Sequence, residues 1–359
     1  MNSLPDVTLV TACYNFHHIH PGARSIEEMK ESITGVLDIP VYMFIYCDRL
    51  LSSFITKYRN ELGMQDITII YELDFENIWA YSLLQKVKEN REAYWPTRDA
   101  RTNAETHIIQ FNKFDFVEEV MIDNPFSTKH FAWMDSCLNL KISKICEDYS
   151  HSKILYLLNN ITDKFHIQIL NVCDKKFKNP EIKKEYYKQY RWVVCGGFFT
   201  CGQQVGIPIL KRLKQIVTET VLAGYGHGEE MFYLEILDEF YNDIVRSYGD
   251  YGQIIDNFIQ PNKNLEYILH FIIYNYSKYG YHRECYDCCH KLIDAFDNFT
   301  IKENYYVWVE TYFYYYISAL YYKQHESKQI KDTIYKICEK NLYFKKEFDK
   351  KRNYYESQF

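Results

Sequence analysis

The sequence predicts an α/β protein, with a mostly parallel sheet flanked by helices, followed by a small all-α helical-hairpin region. Short apolar runs rich in β-branched and aromatic residues alternate with longer amphipathic stretches, as strands alternate with helices in such sheets. Beyond residue 260 this alternation gives way to helical patterns joined by short connections. A chain of 359 residues is long enough for two domains. We therefore expect an α/β domain over residues 1–260 and an α-helical domain over residues 261–359.

Apolar runs define the predicted strands in chain order. The first, VTLVTAC at residues 7–13, is typical of a strand buried on both faces of a sheet. The run VYMFIYC at residues 41–47 has the same character. The remaining predicted strands lie at residues 67–71, 131–134, 153–158 and 191–199.

Helices are predicted between these strands. The one over residues 25–33 has the clearest start, because Ser25 and Glu28 stand at the spacing of a capping box. Further helices are predicted over residues 106–120, 204–223 and 228–241.

Four helical patterns follow residue 260, at residues 265–279, 283–297, 305–322 and 328–341. Residues 274–293 place aromatic and small side chains much as in a tetratricopeptide (TPR) helical hairpin. One or two such pairs are fewer than usually stand alone, so we expect them to pack on the α/β domain. The region is also a candidate surface for a protein partner or for self-association. The charged tail from Tyr343 is expected to fray.

A cysteine-rich stretch in this region, Cys285, Cys288, Cys289 and His290, resembles a zinc cluster. All four residues lie on one predicted helix, where positions three and four apart share a face that can pack on a core. No second cysteine pair stands at the spacing of a zinc finger. Core packing is therefore the favoured interpretation.

Composition limits the classes of function. The net charge of -6 leaves no general excess of positive charge to neutralise phosphates, which argues against a nucleic-acid binder. No apolar stretch reaches the roughly 20 residues of a membrane span, and the first residues do not resemble a signal peptide. The 11 scattered cysteines indicate a reducing compartment. The 35 tyrosines suggest an AT-rich genome, so we expect a cytoplasmic location, or a virus factory if the protein is viral.

Polar residues follow several of the predicted strands where each strand ends. Tyr14 and Asn15 follow the first strand, Asp48 follows the second, and Asp135 follows the strand at residues 131–134. In a parallel sheet these ends share one edge, which is where ligands bind. A carboxylate at the mouth of a buried strand is costly unless it is paired. Asp135 could therefore meet a metal ion, a ribose or a lysine, or it could simply cap the next helix.

A series of motifs in this region resembles the HtrL/YibB family of glycosyltransferase-like proteins. The resemblance covers about residues 7–258 and implies a GT-A-like, Rossmann-like, nucleotide-sugar-binding fold. The motifs, in order, are VTLVTACYN at residues 7–15, Asn112-Lys113-Phe114, Asn124-Pro125-Phe126, FAWMDSC at 131–137, CGGFF at 195–199 and GEEMFY at 228–233.

The resemblance implies roles for the strand-end residues. Tyr14 and Asn15 would lie near the donor nucleotide, with Tyr14 stacking on its base, and Asp48 would bind the base or the ribose. Asp135 would stand where such enzymes carry an Asp-x-Asp element that holds a metal-bound diphosphate. Lys113 would pair with Asp135 or with a phosphate.

One departure bears on the metal. Cys137 stands where the second acid of Asp-x-Asp is expected, and Mn²⁺ and Mg²⁺ prefer carboxylate oxygen to a thiol. We therefore expect weaker metal binding, with Asp250 as a candidate second ligand.

Two further motifs could serve the acceptor. Gly196 and Gly197 allow a ligand to approach the backbone closely, or they form a tight turn. Glu229 or Glu230 could be the base of an inverting transfer. The alternative is that these two acids only complement the dipole of a helix start.

The leading hypothesis is a glycosyltransferase that moves a sugar from a nucleotide-sugar, such as a UDP-sugar, to a protein or glycan hydroxyl. The alternative is a degenerate glycosyltransferase fold that acts as a binding module and recruits a partner through its C-terminal helices. A nucleotidyltransferase is a third class, but such enzymes usually need paired carboxylates for two metals, and no local pair is visible.

Overall fold

The computed structural model describes residues 4–93, 102–138, 150–226, 228–259, 265–298 and 304–357. The predicted domain boundary at residue 260 lies outside these ranges. The chain forms two compact units. The first consists of Met1–Ile169, Lys178–Ser247 and Tyr251–Ile259, and the second of Leu170–Phe177, Tyr248–Asp250 and Gln260–Phe359.

A seven-stranded sheet forms the centre of the fold, in the order β3-β2-β1-β4-β6-β5-β7. β1 is parallel to β2 and β4, β2 is parallel to β3, and β6 is antiparallel to both β4 and β5. The predicted class, a mostly parallel α/β sheet flanked by helices and followed by a helical region, is confirmed. The strands are β1 Val7–Cys13, β2 Tyr42–Cys47, β3 Thr68–Glu72, β4 His130–Met134, β5 Phe165–Ile169, β6 Val194–Gly202 and β7 Ile244–Tyr248.

Burial follows position in the sheet. Every residue of β1 and of β6 is buried, and both strands have neighbours on each side. Strands covered on both faces have continuous apolar sequences, and for this reason the β1 sequence predicts a buried strand. β3 stands at the edge, and its residues are exposed or half-buried.

Helices connect and cover the strands of the first unit. The predicted capping box of α1 is present, since the Ser25 hydroxyl accepts from the Glu28 amide and the Glu28 carboxylate accepts from the Ser25 amide. These helices are α1 Ile26–Leu37, α2 Arg49–Glu61, α3 Leu84–Ala93, α4 Ala104–Asp123, α5 His151–Asn159, α6 Lys183–Tyr187, α7 Gln203–Leu222, α8 Tyr233–Glu239 and α9 Ile254–Ile259.

Two strand predictions need correction. The strand predicted at residues 153–158 is helix α5, and its buried residues Ile154, Leu157 and Leu158 follow a helical spacing. A short apolar run fits either structure, and here the spacing of three and four decides. The strand predicted at residues 191–199 begins only at Val194 and continues to Gly202.

Two further features differ from the predictions. β5 was not predicted, although Phe165, Ile167 and Ile169 alternate as strand residues do. The helix predicted over residues 228–241 consists of a 3₁₀ turn, Glu229–Met231, followed by α8.

The second unit is helical. The predicted helix at residues 265–279 contains a π-helical stretch, Ile268–Ile273, between the short α-helices Leu265–Tyr267 and Tyr274–Lys278. The predicted frayed tail is wrong, because residues 342–356 form a helix that buries Phe344, Phe348 and Tyr355. The helices are α10 Leu265–Tyr267, α11 Tyr274–Lys278, α12 His282–Asn298, α13 Tyr305–Tyr322, α14 Gln324–Lys340 and α15 Leu342–Glu356.

The cysteines of α12 belong to the core of the second unit. Cys285, Cys288 and Cys289 are all buried on α12, as core packing requires. The cysteines within the described ranges are all free. No helix in those ranges combines the length and apolar character needed to cross a bilayer.

Candidate functional site

A buried lysine lies at the centre of the candidate site. Lys113, on α4, is only 1% exposed. Its ammonium donates to Asp135 Oδ1 at 3.1 Å, to Glu229 Oε1 at 2.7 Å and to the Gly196 carbonyl at 2.9 Å. An ammonium has three N–H donors, so each one has a protein partner. Lys113 thus connects the end of β4, strand β6 and the 3₁₀ turn at Glu229.

The charge of Lys113 is stabilised by its partners. Burial alone would lower the pKa of this lysine, but the charges of Asp135 and Glu229 and their hydrogen bonds outweigh it and raise the pKa above its usual range. An isolated buried charge would be costly. Lys113 therefore stays protonated and fixes the positions of two carboxylates.

The two neighbouring glutamates are buried in different environments. Glu229 accepts from Lys113 through Oε1, while its Oε2 is buried with no hydrogen-bond partner among the described residues. Burial raises the pKa of Glu229, against the effect of Lys113. Glu230 accepts from the Gly196 amide at 3.2 Å and from the Tyr190 hydroxyl at 3.0 Å. Burial, together with the charge of Glu229, raises the pKa of Glu230 to about 8.

Glycines make this packing possible. A Cβ atom on Gly196 would lie closer than 3.0 Å to Oε1 of Glu229. Gly228 has a φ of 75° and packs directly on the ring of Tyr190, so a side chain there is excluded both by backbone conformation and by space. Gly197 is less constrained, since its Cβ would meet Asp135 Oδ2 at an ordinary 3.5 Å.

Asp135 is the member of this cluster that reaches solvent. It follows β4, its amide donates to the Gly197 carbonyl at 2.8 Å, and its side chain is 39% exposed. Oδ1 accepts from Lys113 and also from Trp133 Nε1 at 2.6 Å. The carboxylate is thus held through one oxygen, while the exposed part of the side chain can meet a ligand.

A second group of predicted residues joins the ends of β1 and β2. The Asn15 amide donates to Asp48 Oδ2 at 2.6 Å, and the Asn15 side chain donates to the Arg24 carbonyl at 3.0 Å. Asp48 Oδ1 also caps α2 by accepting from Leu51 at 3.1 Å. Burial raises the pKa of Asp48, although these hydrogen bonds oppose it.

Cys137, just after β4, contacts the loop between β1 and α1. Its sulfur accepts from Arg24 Nη1 at 3.0 Å. The thiol therefore has a cationic partner in the position where the resemblance led us to expect a second acid. Arg24, whose carbonyl is held by Asn15, is consequently shared by the ends of β1 and β4.

Tyr14 and Asp250 have surroundings different from those of the cluster. Tyr14 is only 6% exposed and stacks on Phe116 with ring centroids 6.4 Å apart. Its role in base stacking stays a prediction. Asp250 is exposed and belongs to the second unit. Its role as a metal ligand also stays a prediction.

Of the predicted residues, the structure brings Lys113, Asp135, Gly196, Glu229 and Glu230 into one hydrogen-bonded cluster, with Gly197 beside it.

Sequence reasoning missed the three aromatic partners of this cluster. Trp133 could have been found, because it stands two residues before Asp135, on the same side of an extended chain. Tyr190 and Tyr251 both donate to Glu230. Nothing in the sequence distinguishes them from the other tyrosines.

The residues around Asp135 do not by themselves fit a resident divalent metal. Such ions take six or more oxygen ligands, several of them carboxylates in protein sites. Within the described part of the chain, no three His, Cys, Asp or Glu side chains are arranged to hold a metal ion. Asp135 Oδ1 is already shared by Lys113 and Trp133.

Comparison with known proteins gives one family. The family model described as "Bacterial protein of unknown function (HtrL_YibB)" matches residues 5–224. No curated protein was found to match the chain.

A search of solved structures found mouse xyloside xylosyltransferase 1 in its apo form, with 11% sequence identity and a TM-score of 0.38. The alignment covers 67% of this chain and 84% of the mouse chain. At this identity and TM-score, the likeness supports no conclusion about activity.

Proposed function

The chain belongs to the HtrL/YibB family, bacterial proteins of unknown function, and we propose that it is a glycosyltransferase that moves a sugar from a nucleotide-sugar, such as a UDP-sugar, to a protein or glycan hydroxyl. One observation carries the proposal. The parallel strands β1, β2 and β4 bring Asn15, Asp48 and Asp135 to the same edge of the sheet. That edge is where α/β sheets bind nucleotides.

The donor would lie along this edge. Asn15 and Asp48 are hydrogen-bonded to each other and to neighbouring backbone, so these hydrogen bonds fix the polar residues at the ends of β1 and β2. Asp135 would accept a hydrogen bond from a hydroxyl of the sugar, because its side chain is the exposed part of the charged cluster. A preorganised polar site of this kind stabilises charge as it develops during transfer.

Glu229 and Glu230 are better placed to support the site than to touch an acceptor. They are 3% and 4% exposed, respectively. In this arrangement, Glu229 holds Lys113 and Glu230 holds the Gly196 amide. The alternative, that one of them deprotonates the acceptor, requires a ligand to open this packing.

The proposal is tested by the hydrolysis of nucleotide-sugars, screened over UDP- and GDP-sugars. Asp135→Ala should lower the rate about 100-fold or more, as expected when a group that acts on the transition state is removed. Asp163→Ala is the matched control, because Asp163 is 92% exposed and pairs with His130 at the opposite end of β4. Equal rates in wild type and Asp135→Ala would remove Asp135 from the mechanism.

The second candidate is a binding module with an inactive glycosyltransferase-like fold, whose C-terminal helices recruit a partner protein. It is favoured by Cys137, which occupies the place of an acid and is hydrogen-bonded to Arg24. Calorimetry with UDP and GDP, with and without Mn²⁺, separates the two functions. No heat of binding with either nucleotide favours the binding module.

A further inference from the structure

The acidic cluster at Asp135 contains its own counterion. The Lys113 ammonium lies 3.1 Å from Asp135 Oδ1 and 2.7 Å from Glu229 Oε1. Its third hydrogen bond goes to the Gly196 carbonyl at 2.9 Å. A single cation thus joins three oxygens from separate segments of the chain, as a bound metal ion would.

This arrangement competes with a divalent ion. The ammonium already engages Asp135 Oδ1 and Glu229 Oε1, two of the carboxylate oxygens that Mn²⁺ or Mg²⁺ would need. A metal ion beside Asp135 would also stand close to the positive charge of Lys113, and two cations repel each other. The thiol of Cys137 offers little compensation, because it is a poor ligand for these ions and already accepts from Arg24.

We propose that Lys113 is a positioning residue that takes the place of a divalent metal, so that Asp135 does not bind Mn²⁺ or Mg²⁺ in the native protein. The ammonium holds Asp135, Gly196 and Glu229 together through its three hydrogen bonds. The inference rests on the proposed function only in treating this edge of the sheet as the donor site.

Electron paramagnetic resonance of Mn²⁺ tests whether Asp135 binds the metal ion, and it can be done on the wild-type protein. Wild type and Asp135→Asn should leave the same signal of free Mn²⁺ in a titration to millimolar concentration, both alone and with UDP. A bound Mn²⁺ that is present in wild type and lost in Asp135→Asn would overturn the inference. Asp135 is half-exposed, so its amide variant is expected to fold.

Removing the ammonium should create the site that the native protein lacks. In Lys113→Met, two carboxylates lose their counterion, and we expect Mn²⁺ to bind and to raise the melting temperature. Lys113→Arg keeps the positive charge and should stay insensitive to Mn²⁺. Lys153→Met is the control for losing an ion pair with one acid, since Lys153 pairs with Asp256 at 2.6 Å.

The outcomes separate the two proposals. A folded Lys113→Met protein that gains no response to Mn²⁺ overturns the inference. If this variant does not fold, the titration of wild type against Asp135→Asn still decides. Failure of both UDP and GDP to bind counts against the glycosyltransferase, while the titration without nucleotide continues to test the role of Lys113.

Discussion

Gly196 is the residue whose replacement should disturb the candidate site most directly. A methyl group at this position would lie closer than 3.0 Å to Oε1 of Glu229, the oxygen that accepts from Lys113. We expect Gly196→Ala to lower the free energy of unfolding by about 1–3 kcal/mol, because the carboxylate must leave its place in a packed interior. Urea denaturation, followed by circular dichroism, measures this change.

The adjacent glycine supplies the control. In Gly197→Ala the new methyl group would meet Asp135 and Leu138 at 3.5 Å, which is ordinary contact. This variant should lose less than about 1 kcal/mol. Equal stability of the two variants would contradict the close packing of Gly196 on Glu229.

The contacts of single residues were predicted unevenly. Two partners were expected for Lys113, Asp135 or a phosphate, and the structure contains the pairing with Asp135. The burial of Glu229 and Glu230 could not be foreseen, because acids at a helix start are usually explained by the helix dipole. Only the packing of β6 on the 3₁₀ turn shows that these acids face inward and meet a lysine.

At the scale of elements, the predictions succeeded where the local signal was strong. The continuous apolar run of β1 and the capping box of α1 each point to one structure. The run at residues 153–158 is short, and its apolar residues fit more than one period, while the alternation at residues 165–169 covers only five residues. Tertiary packing determines that the first of these segments is a helix, α5, and the second a strand, β5.

The C-terminal helix was missed because its charged residues conceal a narrow apolar stripe. Phe344, Phe348 and Tyr355 are buried, while Lys351 and Tyr355 both donate to Glu310 on α13. A Glu310 carboxylate with these two partners anchors α15 to α13. The spacing of Phe344 and Phe348 by four residues was the signal available in the sequence.

Tyr355 should therefore stabilise the second unit. We expect Tyr355→Ala to cost about 3–5 kcal/mol, the range for a large buried aromatic side chain. Hydrogen exchange of the α13 amides should become faster in this variant. Tyr354→Ala is the matched control, because Tyr354 is 62% exposed and adjacent. Unchanged exchange in Tyr355→Ala would mean that α15 does not support α13.

At the scale of the whole molecule, the alternation of strands and helices was sufficient to predict the fold class and the edge that carries Asn15, Asp48 and Asp135. Strand polarity alone places those residues at one edge. The reversed strand β6, which brings Gly196 to Lys113, could not be predicted. Its direction depends on pairing with β4 and β5, residues far apart in the sequence.

The buried acids should also make the stability of the protein depend on pH. Burial and the charge of Glu229 raise the pKa of Glu230 from 4.5 to about 8. The folded protein keeps this proton to a higher pH than the unfolded chain does. The resulting stability is complete below about pH 4.5 and is lost as pH rises through about 8.

Buried His107 affects the pH dependence of stability in the opposite direction and over a different pH range. Burial, with the charge of Arg91, lowers the pKa of His107 from 6.5 to about 4. The stability that neutral His107 contributes to the folded protein is present above pH 6.5 and is lost as pH falls through about 4. A measurement between pH 6.5 and 8 is therefore sensitive to Glu230 and insensitive to His107.

Between pH 6.5 and 8, wild type should lose on the order of 2 kcal/mol of its free energy of unfolding. A difference of one bound proton between the folded and unfolded states changes this free energy by about 1.4 kcal/mol for each pH unit. Glu230→Gln cannot lose a proton and keeps an oxygen for the Gly196 amide, so its loss should be clearly smaller. Glu219→Gln, at an exposed carboxylate, should follow wild type. Urea denaturation at several pH values gives these slopes. A Glu230→Gln slope as steep as that of wild type would show that Glu230 is already ionised at neutral pH, and the cluster would then carry three negative charges around the one ammonium of Lys113.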